Sequence, residues 1–269
     1  MNIDGNVFPR RGPRIIAVAN QKGGVGKTTT AINLGTALAA VRKQVVILDL
    51  DPQGNASTGL GVERAARTPN SYHLLIGEAG LGEVVQETLV PGLSVVPSGV
   101  DLSGAEIELA GMENRQFYLK EALARDTEAY DYVLIDCPPA LGLLTVNALV
   151  AAQAVLVPLQ CEFFALEGIS SLLNTVEHIR RAFNPGLHIQ GIVLTMFDKR
   201  NKLSDMVASD VRAHFGKTVY ETIIPRNVRV SEAPSHGRPV LIYDVNCAGS
   251  RAYLHLAGEV MRRERIAAA

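Results

Sequence analysis

Asn20-Gln21-Lys22-Gly23-Gly24-Val25-Gly26-Lys27-Thr28-Thr29-Thr30 stands directly after an apolar run (residues 15–19) and directly before a segment of helical character (residues 28–40). Strand, glycine turn and helix thus come in the order that a phosphate cradle needs. Gly23, Gly24 and Gly26 let the backbone curl so that successive N–H groups point into one concavity, and the helix N-terminus adds partial positive charge facing the same way. Lys27 is placed to reach the β and γ phosphates of a nucleotide, and the Thr28 hydroxyl to ligate a Mg²⁺ that bridges them. Lys22, Gly23, Gly24, Val25, Gly26, Lys27, Thr28 and Thr29 are therefore the expected nucleotide-binding set. A strict GxxxxGK[ST] loop has glycine where Gln21 stands, so this loop is a variant, and it opens on a second lysine, Lys22.

Outward from the loop, runs rich in Val and Ile recur at residues 15–19, 45–50, 93–96, 132–135, 154–159, 189–195 and 219–224. Between them lie segments long enough for crossover helices, at 28–40, 105–124, 143–152, 167–182 and 204–215, so the pattern is βαβ repeated. The expected fold is α/β: a single-domain P-loop NTPase fold with a mostly parallel, twisted sheet flanked by helices on both faces. Residues 1–13 are expected to be a flexible arm, 14–266 the phosphate-binding domain and 267–269 a tail. Tyr253, Leu256, Ala257 and Val260 recur at helical spacing within residues 250–266, which predicts a helix docked by one side.

Two of these strands end in acids. The run 45–50 leads into Asp49-Leu50-Asp51-Pro52-Gln53-Gly54-Asn55, and in extended chain Asp49 and Asp51 project to the same side, at the carboxyl edge where open α/β sheets bind ligands. Residues 132–135 deliver a further acid, Asp136, which has the context of a Walker B carboxylate holding Mg²⁺ through its water shell. Asp49, deeper in its strand, is assigned to the same water shell. Phosphoryl transfer depends on positioning and charge more than on covalent chemistry, and Asp51 is the residue placed to orient and polarise the attacking water.

Composition removes other classes. With 269 residues, 47% apolar and 20% charged, the chain has ample material for a core and does not have the make-up of a disordered one. The longest apolar stretch, residues 148–159, is interrupted by Gln153 and Pro158 and falls short of the roughly 18 residues of a membrane span. Cys137, Cys161 and Cys247 form no CxxC and the six histidines no HExxH, so neither disulfides nor a zinc centre is expected. No secretory signal is visible in residues 1–13, and a cytoplasmic protein is expected. Charge is uneven: residues 1–179 hold 12 basic and 19 acidic side chains, whereas residues 180–229 hold 9 basic and 4 acidic ones. Such a local excess attracts polyanions.

The stretch KGGVGKT resembles the deviant Walker A loop of the MinD/ParA group of ATPases. Together with NQKGGVGKTTT, the segments LDLDPQGNA (48–56) and IPRNVRVSEAPSHGRP (224–239) resemble chromosomal ParA/Soj proteins, and the likeness extends over most of residues 15–244. It implies an ATPase that uses ATP and Mg²⁺ and works as a homodimer formed on ATP, in which Lys22 of one subunit reaches the nucleotide held by the other. Lys22, Lys27 and Asp51 are then the catalytic set, with Asp51 at the position of the family's hydrolytic aspartate. Thr28, Asp49 and Asp136 are the metal set, and Met196, Pro225 and Asn227 pack around adenine. The resemblance also implies non-specific binding of double-stranded DNA through basic residues, for which Lys199, Arg200, Lys202, Arg226 and Arg229 are the candidates. Arg226 and Arg229 suit nucleotide or dimer contacts as well. A ParB-like centromere-binding partner that stimulates hydrolysis, a nucleoid location and a role in chromosome or plasmid segregation follow from the same likeness. The alternative is a MinD-like ATPase on membranes; it needs an amphipathic C-terminal tail, and here Arg262, Arg263 and Arg265 are followed only by Ile266 and three alanines.

Overall fold

Val- and Ile-rich runs buried on both sides are the signature of a central parallel sheet. The computed structural model, which describes residues 12–162 and 165–267, contains that sheet. Its strands are β1 (Arg14–Val18), β2 (Val45–Asp49), β3 (Gln86–Glu87), β4 (Leu93–Val96), β5 (Tyr132–Asp136), β6 (Ala154–Gln160), β7 (His188–Phe197) and β8 (Val219–Pro225). They lie in the order β3-β4-β2-β5-β1-β6-β7-β8, with only the β3–β4 pairing antiparallel. Most of the arm expected at 1–13 and of the tail expected at 267–269 lies outside the described residues.

Alternate residues of each strand feed two cores. Ile15 and Ala17 of β1 join Val46, Val133 and Val155 on one face, while Ile16 and Val18 join Val45, Leu134 and Leu156 on the other. The second face is covered by α1 (Lys27–Ala40) and by the helix Ala248–Ala267, which packs on both α1 and β8. Tyr253, Leu256, Ala257 and Val260 are all buried there, as their spacing predicted. The same helix closes the sheet edge: the Glu259 carboxylate accepts the β8 backbone N–H groups of Glu221 (2.9 Å) and Thr222 (3.0 Å). Those donors would otherwise offer a template for pairing with another chain.

Strand order reverses about β1. The chain passes from β1 through α1 to β2 on one side, and later from β5 across β1 to β6 on the other. A crevice therefore opens at the carboxyl ends of β1, β5 and β6, the place where such sheets bind ligands.

All seven anticipated strands form, with β3 added as a two-residue edge strand too short to carry a periodic pattern. One helix needs correction. Residues 105–124 do not run as a single helix but as Leu102–Ala110 and Tyr118–Ala122, separated by a turn in which Asn114 has φ 54°. Asn147, fully buried on the neighbouring helix Leu143–Ala151, secures the break: its Oδ1 accepts the Leu119 N–H (3.1 Å) and its Nδ2 donates to the Arg115 carbonyl (2.9 Å). Removing that side chain leaves a buried N–H and a carbonyl unpaired, so Asn147→Ala should lower the unfolding free energy by about 1–3 kcal/mol. Urea denaturation followed by circular dichroism measures this, with an unchanged midpoint as the contrary result.

Candidate functional site

The loop after β1 folds around its own backbone. Gly24 (φ 74°) and Gly26 (φ 86°) sit in the left-handed region, which is open to glycine without strain. Gly26 is the N-cap of α1, no side chain caps the helix and its first turn contains no acid, so the leading N–H groups face the concavity unsatisfied. A Cβ at Gly23 or Gly24 would meet nothing within 4 Å, which leaves the mouth of the cradle open on that side. Two side chains fix the loop from below. Asn20, buried, donates from Nδ2 to the Pro158 carbonyl (2.7 Å) and accepts the Lys22 N–H (3.1 Å), while the Thr195 hydroxyl at the end of β7 donates to the Val25 carbonyl (2.8 Å).

Lys27 is buried and curls back to donate from Nζ to the Lys22 carbonyl at 3.1 Å. Burial lowers its pKa, and the neighbouring Asp136, Cys137 and Asp51 push it back up. A buried ammonium that holds one carbonyl is poised to take a stronger anionic partner. Thr28 and Thr29 follow in the first turn of α1, both half-buried.

The acids converge from two strands. Asp49 and Asp136 occupy matching register positions on β2 and β5, and both are fully buried. The oxygens of Asp49 are engaged: Oδ2 accepts the Ser57 N–H (2.8 Å) and the Ser57 hydroxyl (2.6 Å), and Oδ1 the Asp51 N–H (3.3 Å). Burial nevertheless raises its pKa to about 6 against those hydrogen bonds. Among the described residues neither oxygen of Asp136 makes a hydrogen bond of ordinary length and angle, and the Thr28 hydroxyl is its neighbouring donor. Burial, then the charge of Asp49, drive its pKa well above the usual carboxylate range, while the Thr28 hydroxyl and the Lys27 ammonium pull the other way. No group of three or more His, Cys, Asp or Glu side chains among the described residues forms a metal cage. An unpaired carboxylate beside a threonine hydroxyl and an open phosphate cradle suits Mg²⁺, which takes one or two protein oxygens and completes its shell with phosphate and water. Asp51, at 7% exposure, accepts the Gln53 N–H on Oδ1 (2.9 Å), and no donor among the described residues occupies Oδ2.

Lys22 holds a neighbour of its own. Within the single chain its Nζ is 2.6 Å from Glu162 Oε2, a half-exposed pair just beyond β6, and the Gln160 amide donates to the other Glu162 oxygen. Neither glutamate nor glutamine carried a motif that marked it in the sequence. The residues expected around a base do come together at the ends of β7 and β8: Phe197 pairs in register with Pro225, and the Arg226 N–H donates to the Phe197 carbonyl (2.9 Å). Met196, with φ 52°, borders the loop, its Cε 3.7 Å from where a Gly26 Cβ would stand. The Asn227 side-chain oxygen is committed to capping the helix Val228–Glu232 through the N–H groups of Arg229 (2.9 Å) and Val230 (3.4 Å).

The basic candidates are exposed. Lys199, Lys202 and Arg226 carry no ion pair among the described residues, and Lys202 opens the helix Lys202–Phe215, where its charge adds to the positive helix end. Arg200 clamps Asp198 through Nε (3.0 Å) and Nη2 (2.8 Å), which together with Arg226 holds that carboxyl down at about 2. Arg229 is shared between Glu232 (3.0 Å) and Asp244 (3.6 Å).

A family model described as an AAA domain matches residues 13–189. The chromosome partitioning protein ParA of Caulobacter vibrioides is 61% identical over 254 residues, covering 94% of this chain and 95% of that one. The sporulation initiation inhibitor protein Soj of Bacillus subtilis is 50% identical over 247 residues, 92% of this chain and 98% of that one. Among solved structures, a protein of Mycobacterium smegmatis named cobyrinic acid a,c-diamide synthase, with an ATP analogue and magnesium bound, superposes with a TM-score of 0.83 at 35% identity, covering 94% of this chain and 96% of that one.

Burial makes the ionised form of Asp136 costly in the fold. The folded state holds its proton more tightly than the unfolded chain does, so at pH 7 the site costs stability, and that cost fades as pH falls toward about 4. In nucleotide-free protein at pH 7, Asp136→Asn should therefore raise the unfolding free energy by roughly 1–3 kcal/mol. Urea titration checks it; a destabilised variant would mean that the carboxylate is already compensated.

Proposed function

Because the chain belongs to the ParA/Soj family of chromosome-partitioning ATPases, we propose that it is an ATP-driven switch for DNA segregation. Two protomers close on ATP, the dimer binds double-stranded DNA without sequence preference, and hydrolysis stimulated by a ParB-like partner releases it. The observation that carries the nucleotide half of this reading is the buried, unpaired Asp136 facing the loop of Lys27 and Thr28.

Each residue then has a task. The N–H groups of residues 23–29 and the Lys27 ammonium hold the phosphates, with Lys27 leaving the Lys22 carbonyl to do so. Thr28 and Asp136 hold the Mg²⁺, which supplies positive charge to the phosphate oxygens. Asp49 acts as a brace more than as a metal ligand, since its oxygens fasten Ser57 and the Asp51 N–H. Asp51 offers Oδ2 to the attacking water. Lys22 leaves Glu162 to cross to the partner's phosphates, and the pair it breaks is half-exposed, worth at most about 1 kcal/mol. The cost of opening is small beside what an ammonium gains against a triphosphate.

For the DNA half, Lys199, Lys202 and Arg226 supply unpaired cations beside a positive helix end, and Arg200 and Arg229 flank them. Such a surface binds by releasing counterions and discriminates little between bases. A membrane-bound counterpart needs an apolar helix face to spare, and the face of the helix Ala248–Ala267 formed by Tyr253, Leu256, Ala257 and Val260 is already buried against the body.

Asp51→Ala should retain ATP and DNA while its turnover falls at least about 100-fold. DNA retention of this variant with ATP, ADP and no nucleotide, with anionic vesicles as competitor, tests the whole reading: retention on DNA with ATP alone is expected, and preference for vesicles would replace it with the membrane reading. Arg200→Glu should weaken DNA retention and flatten its dependence on salt by about one unit of log–log slope per subunit, with ATP still bound. Filter binding across a salt series measures the slope, and an unchanged slope would take Arg200 off the DNA contact.

A further inference from the structure

Behind the Asp51 turn lies a charge with no role so far. Arg67 is 95% buried by its 5% exposure, and no carboxylate among the described residues forms an ion pair with it. Its guanidinium instead spends its donors on neutral acceptors. Nε and Nη2 both donate to the Val62 carbonyl (3.1 and 2.8 Å), Nη2 also to the Thr58 hydroxyl (2.7 Å), and Nη1 to the carbonyls of Gly54 (3.1 Å) and Ser98 (3.3 Å). Surface arginines are not built this way; burying a guanidinium is costly unless its full fork is satisfied.

What the fork holds is the turn that carries Asp51. The Gly54 N–H closes that turn on the Asp51 carbonyl (2.9 Å), Gly54 itself sits at φ 64°, and the helix Asn55–Gly59 starts from it. From the other side the Asp49 carboxylate fastens the same helix through Ser57, whose hydroxyl accepts the Ser98 N–H (2.9 Å). Asp49 and Arg67 thus grip one short helix from opposite flanks without touching, and Ser98, two residues past the end of β4, ties both grips to the sheet. A Cβ at Gly54 would stand 2.2 Å from Arg67 Nη1 and 2.9 Å from the Ser98 carbonyl, so the guanidinium packs directly against the turn and leaves no room there for a side chain.

We infer that Arg67 is a positioning residue for hydrolysis: through Gly54 and Thr58 it fixes the turn that aims Asp51, while nucleotide binding and dimer closure do not depend on it. The inference rests on Asp51 acting on the attacking water. An error of about 1 Å in such a group costs up to roughly 100-fold in rate, so Arg67→Met should lower kcat about tenfold or more with the KM for ATP little changed. In the Asp51→Ala background the same substitution should leave ATP-dependent dimerisation and DNA retention as they were. Arg67→Lys keeps the charge and most of the stem but not the fork, and serves as the reading if Arg67→Met does not fold; its kcat should also fall. Single-turnover ATPase assays, with analytical ultracentrifugation for the dimer, give these quantities. Parental kcat in a folded Arg67 variant beside an inactive Asp51→Ala would overturn the inference, as would loss of ATP binding or of the trapped dimer. Parental turnover in Asp51→Ala alone would instead overturn the hydrolysis reading on which it stands.

Discussion

Two carboxylates placed side by side in a dry sheet edge are the constraint around which the rest of this molecule is arranged. Asp49 and Asp136 share a register on neighbouring strands and neither sees solvent. Like charges at that separation and burial raise each other's pKa, and only fixed dipoles and a cation oppose the effect. The protein treats the two differently. Asp49 receives three donors within ordinary hydrogen-bond geometry, whereas Asp136 has none so placed and only the Thr28 hydroxyl and the Lys27 ammonium beside it. On the proposed reading the asymmetry separates a brace from a site that a nucleotide and its metal complete.

The gathering of the loop and both acids at one sheet edge was legible in the sequence because its parts are local, although both acids were expected to serve the metal. A glycine loop between strand and helix, and acids at strand ends, need only the order of residues to be placed at one sheet edge. The seven main strands were equally plain, since runs of Val and Ile buried on both faces leave a continuous apolar mark. What escaped was decided by contacts across the chain. The helix expected over 105–124 breaks because Asn147, some thirty residues on, takes up the turn's backbone. The partner of Lys22 is Glu162, two of the three donors to Asp49 come from Ser57, and Arg67 sits in a segment with no period and no motif. Each is a polar residue whose meaning is set by a neighbour the sequence does not put beside it.

The interactions around the phosphate loop also divide by strength in a way that suits a switch. Tethers that must persist are buried: Asn20 to Pro158, Thr195 to Val25, Arg67 to Gly54. The contacts that the proposed cycle would give up are single or exposed. Lys27 holds one carbonyl, and Lys22 holds a glutamate at a half-exposed site where screening leaves the pair little net energy. Ligand-driven change needs a difference in free energy between states, and a resting state made of weak bonds at the moving groups keeps that difference favourable to the nucleotide.

The basic residues stand on the same rigid frame. Thr195, which fastens the loop, is on the strand that ends at Phe197, and Phe197 pairs with Pro225 and accepts the Arg226 N–H. Lys199 and Arg200 follow that strand within three residues, and Arg226 follows β8 directly. Few rotatable bonds therefore separate the phosphate cradle from the cations proposed for DNA. In a monomer, Lys199, Lys202 and Arg226 offer at most three phosphate contacts, each adding roughly −0.9 of log–log salt slope, too few for tight binding at physiological salt. Two such patches held in fixed relation by a nucleotide-bridged dimer bind with the product of their contacts, limited by the geometry between them. On the proposed reading no conformational signal has to travel far: pairing two stiff halves is itself the change that DNA detects.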